Sequence, residues 1–139
     1  MNIYFAGAIR SGREKVNDYQ KIVNKLQEIG NVLTVHVSNP TLTSSGENNL
    51  SAKEIYDRDV QWLKDSDLVV AEISIPSLGI GYELATAEKL NKKTICFFDN
   101  NSGKSLSAMI EGNSNFTIIK YNSIDEVITY LNNLKIRNI

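Results

Sequence analysis

The chain has 139 residues, 42% of them hydrophobic, with a formal net charge of −1 and a single cysteine, Cys96. This size predicts one domain, spanning residues 1–139, with a sizeable core. Scattered Lys and Arg residues exclude a basic surface for a nucleic-acid polymer, and the lone cysteine excludes a disulfide framework and a cysteine-rich metal site.

The N-terminus and the hydropathy of the chain bear on its location. Met1-Asn-Ile-Tyr-Phe5 has no basic region ahead of a long apolar stretch, and no segment reaches the length of a membrane span. We therefore expect a cytoplasmic protein without a membrane partner. In such a reducing compartment Cys96, which lies in an apolar run, is expected to be a buried and unreactive thiol.

Five apolar runs, separated by segments of mostly helical periodicity, predict the strands of the fold. They are Ile3–Ala6, Val32–Val35, Leu68–Ala71, Thr94–Phe98 and Phe116–Tyr121. Such alternation is typical of parallel βαβ units. The sequence thus predicts an α/β fold: a doubly wound, flavodoxin-like or Rossmann-like, five-stranded parallel sheet with helices on both faces.

Three helices have clear signals at their ends. The first is predicted from about Gly12 to Ile29, with Gly30 as its C-terminal stop. The second and the last are predicted to begin at Ser51-Ala-Lys-Glu54 and Ser123-Ile-Asp-Glu126, because the Ser-x-x-Glu spacing is that of a capping box.

A polar segment separates the second strand from the second helix. Residues 38–49 read SNPTLTSSGENN, which is too polar to pack and too long for a tight turn. A mobile loop, a lid and plain disorder all fit this composition.

The segment Ser77-Leu-Gly-Ile-Gly-Tyr-Glu83 joins the third apolar run to a helical pattern. Strand-to-helix junctions of parallel sheets form the crevice in which small ligands bind, and helix N-termini attract anions. A hydroxyl, two glycines and a carboxylate at such a junction predict a ligand site. The plainer alternative is that Glu83 is a helix-start carboxylate favoured by the helix dipole.

Two carboxylates lie on the inward faces of their predicted helices. Asp59 falls within the apolar stripe of the second helix, and Glu83 within that of the third. Buried acids need partners: Arg10 or Arg58 could pair with Asp59, and backbone N–H groups could cap Glu83. Alternatively, the two acids are the general acid and the nucleophile of a site that cleaves a glycosidic bond.

The turn after the first strand, Tyr4-Phe-Ala-Gly-Ala-Ile-Arg-Ser-Gly-Arg13, is a candidate phosphate cradle because it contains glycines ahead of a helix. No G-x-G-x-x-G is present, and His36 rather than an acid ends the second strand, so we exclude a dinucleotide site. An isolated histidine is more typical of a solvated or structural role, with a ligand contact from His36 as the alternative.

Five segments of the chain match a known enzyme family. They are Tyr4-Phe-Ala-Gly-Ala-Ile-Arg10, Asp59-Val-Gln-Trp-Leu63, Val70-Ala-Glu72, Pro76-Ser-Leu-Gly-Ile-Gly-Tyr-Glu-Leu84 and Leu106-Ser-Ala-Met-Ile110. These segments closely resemble the 2′-deoxynucleoside 5′-monophosphate N-hydrolases of the wider nucleoside deoxyribosyltransferase group. The resemblance implies hydrolysis of the N-glycosidic bond of a 2′-deoxynucleoside 5′-monophosphate to free base and 2-deoxyribose 5-phosphate, without a metal or organic cofactor.

The resemblance also implies a role for each matching residue. Glu83 would be the nucleophile of a retaining mechanism, Asp59 the acid that assists the departing base, and Tyr4 the residue that positions the nucleophile. Substrate contacts would fall at Gly7, Ile9, Arg10, Ser77, Gly79, Ser107 and Met109. Because the resemblance places Ser107 in the site of the neighbouring subunit, it implies a homodimer that binds a small-molecule nucleotide.

Three other functions fit the same residues. A nucleoside 2-deoxyribosyltransferase passes the sugar on Glu83 to a second base, a related branch hydrolyses ribonucleotides such as CMP, and a degenerate site would make the chain a nucleotide-sensing module. Ala8 stands where close relatives carry serine. The missing hydroxyl is expected to affect affinity more than chemistry, since backbone donation to phosphate would survive the change.

Overall fold

The computed structural model describes residues 1–136, which form one five-stranded sheet and five α-helices. The strands are β1 (Asn2–Ala6), β2 (Asn31–Val32), β3 (Leu68–Glu72), β4 (Lys93–Asp99) and β5 (Phe116–Tyr121). The helices are α1 (Val16–Gln27), α2 (Ala52–Asp65), α3 (Leu78–Lys89), α4 (Ala108–Glu111) and α5 (Ile124–Ile136). Within these residues no helix is long and apolar enough to cross a bilayer. All strand pairs are parallel in the order β2-β1-β3-β4-β5, which confirms the predicted doubly wound fold.

The two faces of the sheet carry separate apolar layers, because side chains alternate along each strand. Along β1, Ile3 and Phe5 pack in the layer that α1 and α5 cover, whereas Tyr4 lies in the layer that α2 and α3 cover. Cys96 is fully buried in this second layer, and burial raises the pKa of its thiol to about 12. The alternation therefore places Tyr4 on the same face as α2 and α3.

The second strand is shorter than the predicted run Val32–Val35. Its ladder ends at Val32, and Val35–Ser38 form a 3-10 turn. The side chain of the buried Thr34 explains the difference, because its Oγ1 accepts from the Phe5 N–H at 2.8 Å and donates to the Phe5 carbonyl oxygen at 2.7 Å. These bonds occupy backbone groups that would otherwise extend the ladder, and the chain turns away from the sheet.

The first helix begins at Val16 rather than near Gly12. Gly12 has a φ of +138°, a backbone conformation outside the helix that favours glycine. Its N–H donates to the Ile9 carbonyl oxygen at 3.2 Å and closes a turn after β1. At the other end the Gly30 N–H donates to the Leu26 carbonyl oxygen at 2.9 Å, as expected of the predicted C-terminal stop.

Both predicted Ser-x-x-Glu segments begin a helix, but only one forms a capping box. At the start of α2, Ser51 Oγ accepts from the Glu54 N–H and Glu54 Oε1 accepts from the Ser51 N–H, each at 3.1 Å. At the start of α5, the Glu126 carboxylate instead accepts from the N–H of Asn122 at 3.0 Å. The carboxylate thus satisfies a donor one residue earlier than the capping-box spacing predicts.

Two arginines hold the polar segment of residues 39–50. Arg13 donates to the carbonyl oxygens of Val37, Asn39 and Leu42 at 2.7, 3.0 and 2.9 Å. Arg58 on α2 forms an ion pair with Glu47. The segment therefore follows a defined path held by side-chain contacts, which favours a lid over plain disorder.

Candidate active site

A pocket of about 420 Å³ opens at the carboxyl ends of β1 and β3. This is the switch point of the sheet, because β1 leads to a helix on one face and β3 to a helix on the other. The volume is within the ~300–1,000 Å³ of small-molecule sites. Among the predicted site residues that line it are Gly7, Ile9, Arg10, Asp59, Ser77, Gly79 and Glu83.

Tyr4 and Glu83 meet at the base of this pocket. Tyr4 Oη donates to Glu83 Oε2 at 2.5 Å, and Tyr4 is 1% exposed. Tyr4 reaches this position because it projects from β1 toward α3, and Glu83 because it lies on the inner face of α3. The structure thus brings together the two residues that the family resemblance pairs as nucleophile and positioning group.

The surroundings of Glu83 change its acidity. Burial raises the pKa of its carboxyl to about 7; the hydrogen bond from Tyr4 opposes the rise, and the negative charge of Asp59 adds to it. Burial, with the charge of Glu83, raises the pKa of the Tyr4 phenol, which stays a neutral hydrogen-bond donor. Near pH 7 Glu83 is therefore divided between its ionised and neutral forms, as is typical of carboxyls at functional sites.

Asp59 lines the same pocket from α2, with its side chain 25% exposed. It lines the cleft rather than packing in the core; Leu63 is the residue of α2 that is buried completely. Of the two predicted partners it binds Arg58, whose Nε donates to Asp59 Oδ1 at 2.9 Å. Burial raises the pKa of the Asp59 carboxyl and Arg58 opposes the rise, so Asp59 is a candidate proton donor.

A polar cluster beside Asp59 contains Arg58, His36 and Glu47, and sequence reasoning missed Glu47. Glu47 accepts two hydrogen bonds from Arg58, at 2.7 and 3.0 Å, and His36 Nε2 lies 2.9 Å from Glu47 Oε1. Burial lowers the pKa of His36, which also lines the pocket. The Arg58 guanidinium stacks on Trp62, with 4.6 Å between its carbon and the ring centroid. The i, i+4 spacing of Arg58 and Trp62 was a usable signal, but nothing in the loop sequence indicates where Glu47 lies.

The start of α3 forms one wall of the pocket. Ser77 is the N-cap, and its Oγ accepts from the Ile80 N–H at 3.3 Å. Its hydroxyl hydrogen is then available for an acceptor in the pocket. Gly79 lies in the first turn, where the helix dipole favours a negative charge.

The turn after β1 forms the opposite wall. Gly7 allows a close approach to α1, because a Cβ there would lie 2.9 Å from the Tyr19 ring. The Ala8 N–H donates to Tyr19 Oη at 3.0 Å, and Ala8 packs within the second apolar layer. The Ala8 N–H already has a partner within the protein, so the expected backbone donation to a phosphate stays a prediction for the other residues of this turn. The residues of this turn that line the pocket are Gly7, Ile9, Arg10 and Ser11.

Ser107 and Met109 lie outside this pocket within one chain. Ser107, at the start of α4, lines a neighbouring cleft of about 710 Å³ that shares Ser77 and Leu78 with the pocket. Leu78 is 95% exposed and Met109 85% exposed. Ser107 and Met109 thus belong to a surface beside the site rather than to the site of a single chain.

Fold and site together define a class of protein. The chain is a doubly wound α/β domain with two carboxyls of raised pKa at the switch point of its sheet, one of them bound by a tyrosine. Such a pair is the arrangement with which enzymes cleave glycosidic bonds.

Comparisons with known proteins assign the family. The family described as nucleoside 2-deoxyribosyltransferase matches residues 3–117. The 5-hydroxymethyl-dUMP N-hydrolase of Danio rerio is 58% identical over 114 residues, covering 82% of this chain and 80% of that protein. The enzyme of the same name from Mus musculus is 44% identical over 134 residues, covering 94% and 77%. The chain therefore belongs to the nucleoside 2-deoxyribosyltransferase family, among its 2′-deoxynucleoside 5′-phosphate N-hydrolases, which confirms the resemblance seen in the sequence.

A solved structure supports the fold. The CMP N-glycosidase of Clostridium botulinum superposes with a TM-score of 0.73 and 20% sequence identity. The match covers 96% of this chain and 99% of that one. At this identity the likeness concerns the α/β fold.

Proposed function

We propose that this chain hydrolyses the N-glycosidic bond of 2′-deoxynucleoside 5′-monophosphates to free base and 2-deoxyribose 5-phosphate. The N-hydrolases among which it falls cleave N-glycosidic bonds, and the Danio rerio and Mus musculus relatives are named for a deoxynucleoside monophosphate. The observation that carries the proposal is the 2.5 Å hydrogen bond from Tyr4 to Glu83 in a pocket that Asp59 also lines.

Glu83 attacks the sugar in the first step. Tyr4 holds Oε2, which leaves Oε1 to form a bond to the anomeric carbon as the bond from that carbon to the base nitrogen breaks. The electron pair of the broken bond goes to the base, and Asp59 supplies the proton that the base then carries. The product is a free base and a covalent ester between Glu83 and the deoxyribose phosphate.

Water opens this ester in the second step. Asp59, now ionised, takes a proton from the water while the water oxygen binds the anomeric carbon, and Glu83 leaves as a carboxylate. Both side chains return to their starting states. Two displacements at one carbon retain its configuration.

The 5′-phosphate is assigned to the walls formed by Arg10, Ser77 and Gly79. Arg10 supplies a positive charge at the rim, and Ser77 and Gly79 begin α3, whose N-terminus favours an anion. This assignment supports hydrolysis of monophosphates over transfer between free nucleosides, which carry no such charge.

Removing the phosphate from the substrate is expected to reduce kcat/KM far more than changing the base does. Binding energy from the phosphate helps to hold the anomeric carbon at Glu83, so a substrate without it loses rate as well as affinity. The measurement is chromatographic detection of free base from a panel of deoxy- and ribonucleoside monophosphates, including 5-hydroxymethyl-dUMP, with the matching nucleosides as controls. Equal rates on dGMP and deoxyguanosine would overturn the phosphate assignment.

Deoxyribosyl transfer is the second candidate, favoured by the family description itself. In that reaction a second base, rather than water, takes the sugar from Glu83. Adding a different free base to the same assay separates the two, because transfer makes a new deoxynucleoside or deoxynucleotide and hydrolysis makes 2-deoxyribose 5-phosphate. Nucleotide binding without any free base from the whole panel would instead support a sensing module.

Replacing Tyr4 with phenylalanine is expected to cost more activity at low pH than at high pH. The Tyr4 hydrogen bond lowers the pKa of Glu83, so its loss raises that pKa above about 7. Glu83 attacks only when ionised, and the ratio of variant to wild-type kcat/KM should be lowest near pH 6 and rise toward pH 9. A ratio that does not change with pH would show that Tyr4 does not stabilise the charge of Glu83.

A homodimer with Ser107 contributed across the interface is part of the proposal. Its support is an exposed apolar surface beside the pocket, with Leu78 95%, Met109 85% and Tyr82 58% exposed. The cleft that Ser107 lines includes Leu78 of this surface and shares Ser77 with the pocket. Apolar surfaces of this kind are typical of interfaces, and a twofold-related copy would bring its Ser107 toward Ser77.

Mixing two inactive variants is expected to restore activity if the site is shared. A Glu83→Gln chain keeps Ser107, and a Ser107→Glu chain keeps Glu83 but repels phosphate, so a mixed dimer holds one intact site. Random exchange makes half of the dimers mixed, which predicts about a quarter of wild-type activity. No recovery despite demonstrated subunit exchange would count against the shared site and favour a satellite core within one chain.

A further inference from the structure

Arg58 joins two carboxylates at the edge of the pocket. Its Nη1 and Nη2 donate to the two oxygens of Glu47 at 2.7 and 3.0 Å, and its Nε and Nη2 each lie 2.9 Å from Asp59 Oδ1. The guanidinium also stacks on Trp62. One planar cation, bidentate to Glu47, thus sets the position of the 39–50 segment relative to the Asp59 carboxyl.

The contacts distinguish the two oxygens of Asp59. Oδ1 receives both Arg58 nitrogens, and within residues 1–136 no hydrogen bond reaches Oδ2. N–H donors around Oδ1 disfavour a proton on that oxygen, so the proton of the neutral acid belongs on Oδ2. Arg58 therefore favours Oδ2 as the oxygen that carries the proton of the neutral acid.

Several charged or titratable groups face Asp59 from the elements packed around it. They are Arg58, His36, Glu47, Glu83 and Tyr4. Burial raises the pKa of Asp59; Arg58 and His36 lower it, and Glu47 raises it. Because Glu47 binds the same guanidinium, it offsets part of the positive charge that Arg58 presents to Asp59.

We propose that Arg58 is the positioning residue for the Asp59 proton donor, and that the Glu47–Arg58 ion pair couples the 39–50 segment to that donor. The inference rests on the role proposed above for Asp59. With the segment in place, Arg58 is shared between two carboxylates and Asp59 retains its proton more readily. When the Glu47 contact opens, Arg58 serves Asp59 alone and favours its ionised form, so a closed pocket and a protonated acid occur together.

A carboxyl titration of Asp59 tests the coupling without substrate. In protein labelled with 13C at aspartate carboxyls, Arg58→Met is expected to raise the pKa of Asp59 by about one to three, the range for loss of an adjacent opposite charge. Glu47→Gln is expected to lower it. Lys53→Met is the matched control and should leave the pKa of Asp59 unchanged, because Lys53 is a cation on the same helix whose partner within residues 1–136 is the exposed Asp57.

The opposite signs separate this role from a structural one. If the two substitutions acted only by loosening the 39–50 segment, both would shift the pKa of Asp59 in the same direction. That result, or an unchanged pKa of Asp59 in Arg58→Met, would overturn the proposal. If Arg58→Met does not give a native circular dichroism spectrum, Arg58→Gln removes the same charge and carries the same expectation. Because no substrate is used, the titration decides the matter even if the proposed hydrolysis fails.

A double-mutant cycle tests whether Arg58 acts through Asp59. Arg58→Met is expected to reduce kcat for deoxynucleotide hydrolysis at least ~10-fold in the wild-type background and not at all in an Asp59→Asn background, because residues that act as a unit are non-additive. An equal loss in both backgrounds would show that Arg58 does not act through the acid.

Discussion

Replacing Glu83 with glutamine is expected to abolish hydrolysis while leaving nucleotide binding intact. The amide keeps the shape of the side chain and can still accept the hydrogen bond from Tyr4, but it lacks the charge that attacks the anomeric carbon. Removal of a covalent nucleophile predicts a loss in kcat of at least ~10⁴-fold. The measurement is free-base release at saturating deoxynucleotide, with nucleotide binding followed by calorimetry. Near-normal turnover would remove Glu83 from the mechanism.

The thermal stability of the Glu83→Gln variant is a control for its folding. Folding raises the pKa of Glu83 from its ordinary 4.5 to about 7. The folded state therefore binds the proton more tightly than the unfolded state, and wild-type stability falls as pH rises through this range. Glutamine removes this penalty, so the variant should melt above the wild type at pH 8, with the difference shrinking toward pH 4. If the variant melts below the wild type at pH 8, we would assign its lost activity to a destabilised fold.

Replacing Asp59 with asparagine is expected to reduce kcat/KM by ~10²–10⁴-fold, the usual contribution of general acid catalysis. Asparagine keeps the size of the side chain but has no proton to give to the departing base. The loss should shrink with bases that leave well without protonation, so the variant and the wild type are compared across a series of modified pyrimidine deoxynucleotides. A loss of the same size for every base would indicate a structural role.

The matched control for this variant is Asp57→Asn on the same helix. Asp57 has a side chain that is 55% exposed and pairs with Lys53 on the outer face of α2. Loss of this exposed pair costs little. Its activity should therefore equal that of the wild type, which separates the chemistry of Asp59 from a general effect of altering α2.

The fold was predictable wherever short-range signals agreed with packing. Four apolar runs became β1, β3, β4 and β5, with no bound shifted by more than one residue. The second run did not form a strand of the predicted length, because the buried Thr34 side chain takes the hydrogen bonds that would extend the ladder. The first helix began late because Gly12 adopts a positive φ. Each error comes from a single residue: Thr34 binds a residue far away in the sequence, and Gly12 closes a turn.

The inward positions of the two acids could be predicted from the sequence, but the residues that surround them could not. Helical periodicity indicated that Asp59 and Glu83 face inward, and the resemblance to a family paired Glu83 with Tyr4. No pattern indicated that Glu47 would return to Arg58, because a polar loop has no periodicity from which its path can be inferred. The acidity of the two carboxyls also depends on burial, which a sequence does not state.

The sequence by itself determined the doubly wound sheet, the family and the inward positions of the two carboxyls proposed as the acid pair, because periodicity and junction motifs are local properties of the chain. Only the tertiary structure decided that Tyr4 donates to Glu83, that Arg58 rather than Arg10 binds Asp59, and that Ala8 has no free N–H for a ligand. Each of these outcomes is a contact between separate elements. Such contacts depend on how the strands and helices pack, and that packing sets the distances, the burial and the shared charges from which the pKa values and the proposed chemistry follow.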